Sequence, residues 1–282
     1  MCLLEFIDND DDFEGSFQIF LRKIDAYKIY NDKHEFVLVI HLLTQISNNH
    51  HRKSNFYPKI FKIIEHYKDY IKQNFSKHEI ISIFESNKRI LLYFFENKII
   101  DFDNIFLQKF MYNQYNNDFY LMYFYPELSS IDTFGNMSFL KKSYETNESI
   151  IKNRKVGHND SYICQIIQKD SIDDFIYYIN KNNYDYKNAE IETNRFLMRR
   201  YPNLIEYSAF YGSLKIFKYL LKNDIEKTPS LWLYAIHGSN PEIIHLLEEN
   251  RIVPNDATFV QCLKESIKCH HNEIANYILN NH

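Results

Sequence analysis

Cys262, Cys269, His270 and His271 are the densest group of metal-ligating side chains in the chain. Structural zinc sites pair cysteines two to four residues apart. Cys262 and Cys269 are instead separated by about two helical turns, which would place them on one helix face. Cys269 also occupies a position that is glycine in two related stretches. A turn role therefore outweighs a zinc role, and no metal ligand is assigned; His50 and His51, in a polar stretch, offer less. Catalysis has no better footing, because no serine lies in a Gly-x-Ser-x-Gly elbow and no cysteine has a supporting motif. Glu248–Glu249 and Asp173–Asp174 are adjacent acids that point apart on a helix, as solvated surface does. Arg199–Arg200 and Lys141–Lys142 are too short for a nucleic-acid footprint. The 5 glycines form no phosphate cradle. The expectation is a chain with no catalytic residue, no cofactor and no metal.

Composition sets the broad class of the chain and names no target. Hydrophobic residues make up 45 % of the chain and charged residues 25 %, which predicts a packed core. A net charge of −4 gives no general attraction to nucleic acid or acidic membrane. The 4 cysteines are too sparse for a disulfide framework and fit a reducing compartment. Met1–Ile7 gives way at once to the acidic run Asp8–Asp12, so no secretory signal is expected. No apolar run approaches the roughly 20 residues of a membrane span. An intracellular, cytoplasmic location is the expectation, and nothing here sets an oligomeric state.

The elements that would position any site are helical. Residues 1–13 read as a loosely ordered acidic tail, and 14–75 as a small helical domain of three amphipathic segments. Beyond Ser76, a candidate N-cap, the final third of the chain states one phrase three times. It runs Ser208–Asn223, Tyr234–Asn250 and Glu265–Asn281, and its small opening residue recurs at Ala209, Ala235 and Ser266. A unit of about 30 residues built from two short helices is the signature of a repeat array. Echoes occur at Ile90–Asn97, Tyr120–Tyr125 and Ile172–Ile179. The segmentation is therefore divergent repeats over 76–127, an inserted loop over 128–157 and the main array over 158–282, with an irregular connection near 183–201.

Positions shared between copies have physical reasons. The small residue lets neighbouring helices approach closely. Gly212 and Gly238 stand where the first helix must reverse, a place that favours positive φ. Asn97, Asn223, Asn250 and Asn281 stand at second-helix ends, where Asn is the next-best left-handed residue after Gly. Thr228 would cap a helix that Pro229 begins. Leu220–Leu221, Leu246–Leu247 and Ile278–Leu279 would face adjoining units.

Thr228–Gly238 followed by Glu242–Leu247 resembles the ankyrin repeat, with its Thr-Pro opening, paired small residue, Gly and apolar second helix. The run through Tyr162–Ser171, Leu204–Gly212 and Cys262–Asn272 is similar to the divergent ankyrin-repeat proteins expanded in parasitic protists, which carry a domain of unknown function. Ile166–Ile167 replace the small pair, Cys269 replaces Gly, and the hairpin glycines are absent; these departures bear on the hairpins rather than on helix stacking. The resemblance implies an all-α helical solenoid and non-enzymatic binding of a protein partner through a concave face. On its pattern the face is carried by Phe210–Tyr211, Ile236–His237 and Ile267–Lys268, with tips at Glu226–Lys227 and Pro254–Asn255. Periodicity assigns Phe210, Ile236 and Ile267 to the core. Tyr211, His237 and Lys268 are then left as an exposed line, with Trp232 as a possible anchor or a packing residue. The other class to be weighed is an enzyme or regulatory subunit whose array docks a substrate.

Overall fold

A computed structural model describes residues 2–9, 11–50, 56–101, 123–129, 161–191 and 202–282, together with 154, 156 and 159. Among these residues all regular structure is helical, and the one β-bridge joins Glu190 to Asn203. No described helix is long and apolar enough to cross a membrane. The chain forms two compact units, one within Met1–Gly157 and the other within His158–Thr193 and Leu197–His282.

In the first unit, α1 (Cys2–Asp8) corrects the expectation of a loose tail. Leu3, Phe6 and Ile7 recur at helical spacing and are buried. The orphan carbonyls at its end are answered by Lys59, whose Nζ donates to Ile7 O and Asn9 O at 2.7 Å each. Lys59 is itself 1 % exposed. Then follow α2 (Phe13–Ala26), a 3₁₀ turn (Ile29–Asn31) and α3 (Lys33–Asn49). The expected third helix divides at Tyr67 into α4 (Phe56–His66) and α5 (Lys68–Asn74).

A helix pair, α6 (Lys77–Phe84) and α7 (Lys88–Glu96), comes next, and α6 packs on α3 inside this first unit. Ser76 caps α6 as expected, in a reciprocal box with Glu79. Half of the second echo (120–122), and nearly all of 128–157, lies outside the described residues. The short α8 (Tyr125–Leu128) is described. Within the stretch read as a loop, Arg154 is buried and pairs with Glu127, and its carbonyl accepts the Tyr123 hydroxyl at 2.7 Å.

The second unit is built of helix pairs: α9 (Tyr162–Gln168) with α10 (Ile172–Lys181), α11 (Leu204–Tyr211) with α12 (Leu214–Lys222), α13 (Leu231–Gly238) with α14 (Pro241–Glu249), and α15 (Val260–Lys268) with α16 (Asn272–Asn281). First helices touch first helices in the order α9, α11, α13, α15, and second helices touch in the order α10, α12, α14. Polar ties cross between pairs. Asp170 accepts the Lys215 and Ile216 amides at 3.0 Å, capping α12 from the preceding pair. Asn240 Nδ2 donates to Gly212 O at 3.1 Å.

The turn inside each pair passes through one left-handed residue: Asp170, Gly212, Ser239 and His270. Gly212 does so as expected, with φ 69°, but Gly238 does not. α13 continues one residue further, and Ser239 takes the left-handed position. Gly238 is required for a different reason. A Cβ there would lie 1.9 Å from Ala209 O, so α13 crosses α11 at a distance only glycine permits.

The terminal asparagines are also corrected. Asn97, Asn182, Asn223 and Asn250 have negative φ, and the following Lys98, Asn183, Asp224 and Arg251 are left-handed. Staying near helical geometry lets each Asn Nδ2 donate to the carbonyl four residues back, at 2.7–2.9 Å. At Asn97, Asn182 and Asn250 the same carbonyl also accepts the residue's own backbone amide, so the side chain adds a second hydrogen bond at the helix end.

Thr228 and Ser230 are not side-chain caps either. Both hydroxyls donate to Glu206 Oε1, at 2.5 and 2.6 Å. Leu279 is 67 % exposed, because no described helix follows to cover it.

Candidate functional site

The expected line of exposed side chains is broken at its centre. Tyr211 is half-buried against Tyr207 and Phe210. Lys268 is exposed, as are Glu226 and Lys227 at the connection between pairs. His237 is 2 % exposed, which overturns its placement on a surface. Trp232 is likewise no anchor: it is 0 % exposed, its Nε1 donates to Ile252 O at 2.6 Å, and its ring meets Phe259 edge-on.

The cause lies in the stacking. α11 and α13 are each flanked by a first helix on either side and by their own second helix, so every side chain from Leu204 to Phe210 is buried. Phe210 and Ile236 are core as expected, but Ile267 is 57 % exposed. Among the described residues no further first helix packs on the outer side of α15. Val260 lies two turns before Ile267 on the same helix face and is 47 % exposed.

The buried His237 is brought against residues that the sequence did not connect with it. Its Nε2 lies 2.8 Å from Glu265 Oε1, and Cys269 completes a group whose candidate ligand atoms all fall within 4.8 Å of one another. Phe210 stacks on the imidazole at 5.4 Å. Burial pushes the Glu265 carboxyl up, but the hydrogen bond and charge of His237, with Lys268 beside it, prevail and hold it at about 2. Glu265 is thus a carboxylate near neutral pH, and His237 Nε2–H donates to it. Lys268 Nζ donates to the other carboxylate oxygen at 3.0 Å.

Thiol, imidazole and carboxylate together resemble the set that activates a cysteine nucleophile. Here burial pushes the Cys269 thiol up, the reverse of activation, and the residue is 0 % exposed. Cys262 is also buried, its thiol pushed up to about 12, and lies outside the group. His270 and His271, next to Cys269 in sequence, instead line a cleft of about 580 Å³ with His245 and Tyr277. The acids read as solvated surface divide: Asp173 and Asp174 are exposed, whereas Glu248 accepts the Tyr277 hydroxyl at 2.7 Å and His282 Nε2 at 2.9 Å.

Sequence reasoning missed this group because His237 and Cys269 belong to different repeats, and repeat alignment gave Cys269 a turn role. The available signal was the spacing of Glu265 and Cys269, four residues apart on one helix face. No protein-family model, curated protein or solved structure matches the chain.

Proposed function

We propose that the second unit is an ankyrin-like helical array that acts as a non-enzymatic scaffold or adaptor for a protein partner. The observation that carries this reading is Ile267, 57 % exposed on α15 where the preceding unit buries Ile236 at 0 %. Ile267 and Val260 share one exposed face of α15, and grouped exposed apolar side chains are what a docking surface requires. Lys268 borders the patch, and Tyr211, Glu226 and Lys227 supply polar-tipped positions further along.

The test is capture of partners by the full chain and by an Ile267→Asp variant. Ile267 faces water, so thermal stability should change by less than about 0.5 kcal/mol. Captured partners should be lost, because a central interface residue contributes about 2 kcal/mol or more. Retention of every partner by a variant that melts like the parent would remove this surface from the reading.

A further inference from the structure

His237, Glu265 and Cys269 satisfy the requirements of a chelating site. Glu265 on α15 and Cys269 at its C-cap, still in helical conformation, stand four residues apart, the spacing by which paired ligands on one helix converge on an ion. His237 reaches them from α13, the preceding first helix. The three candidate ligand atoms already lie within 4.8 Å of one another. The imidazole is held in place by Phe210, and the carboxylate by Lys268 on its outer oxygen. Such outer partners orient metal ligands and are part of a working site. His237 and Cys269 are buried, while the Glu265 side chain keeps 15 % exposure and leaves an entry path.

We propose that this group binds one divalent transition-metal ion of the zinc class, with water in the fourth position. Sulfur, imidazole nitrogen and carboxylate oxygen are all zinc donors, whereas the sulfur disfavours calcium and magnesium. One thiolate and one carboxylate balance the two positive charges. On binding, Cys269 releases its proton to solvent, the hydrogen bond between His237 and Glu265 gives way to the ion, and the neutral imidazole carries its one proton on the nitrogen that does not ligate. The ligands come from two consecutive helix pairs, so the ion staples the last pair to the one before it. It thereby steadies the end of the array that carries Ile267.

The experiment uses the full chain, tag-free and stripped by a chelator, titrated with cobalt(II) alone. The expected result is saturation at one equivalent, with the visible bands of tetrahedral cobalt and a thiolate-to-cobalt charge-transfer band that zinc then bleaches. Cys262→Ser should keep the band and Cys269→Ser should lose it. Glu265→Gln, which preserves shape, should weaken cobalt binding more than about tenfold, the effect of losing even an outer partner. Absence of the charge-transfer band in the parent protein overturns the proposal without recourse to any variant. So does a band that survives Cys269→Ser or depends on Cys262, or an affinity unchanged in Glu265→Gln.

Discussion

Glu206 is 1 % exposed, and both of its side-chain oxygens accept hydrogen bonds. Thr228 and Ser230 serve Oε1, and the Asn203 amide serves Oε2 at 3.0 Å. A buried carboxylate deprived of a donor bears the desolvation penalty of the vacated lone pair. Thr228→Val keeps the shape and removes one hydroxyl, so it should cost about 1–3 kcal/mol. A thermal melt identical to that of the parent would show that water replaces the hydroxyl. The thiols give a second test at this scale. Cys164 and Cys262 are 0 % exposed, and burial pushes the Cys262 thiol up to about 12. Thiolates rather than thiols react with disulfide reagents. Both should stay unmodified in native protein and react on unfolding; rapid native labelling at Cys262 would contradict the packing around α15.

At the scale of elements, the decisive contact is the crossing of α11 and α13. Gly238 meets Ala209 O, and Ala235 is 0 % exposed. Backbone cannot give way as a flexible side chain does, so Gly238→Ala must separate the helices. Ala235→Leu must do the same, and each should cost about 1–3 kcal/mol by overpacking. Circular dichroism melts decide both; an unchanged melting temperature for either would place that residue outside a tight crossing. In the first unit Lys59 ties α1 through two carbonyls. Lys59→Met keeps the aliphatic stem but leaves those acceptors without the ammonium, a loss of about 1–3 kcal/mol. Proteolysis should then cut within the first ten residues before the remainder is attacked, and simultaneous loss of all helices would refute a local tether.

For the whole molecule, the two units carry separate cores, one from Leu3 to Leu128 and the other from Ile163 to Ile278. A unit with its own core has what it needs to fold alone. Residues 158–282 expressed by themselves should therefore melt in one cooperative transition, and a broad, non-cooperative melt would show that the first unit is needed. The sequence by itself determined the helical class, the paired-helix phrase near its correct boundaries, the capping role of Ser76 and the left-handed turn at Gly212. These follow from periodicity and local backbone preference, which act within a few residues. The tertiary structure alone decided that Leu3, Phe6 and Ile7 form a core helix, that Gly238 serves a crossing, and that His237 is buried while Ile267 is not. It alone joined His237 to Glu265 and Cys269. A helix declares its own apolar stripe, but burial of its remaining faces depends on the helices beside it, and repeats alike in sequence differ in what covers them.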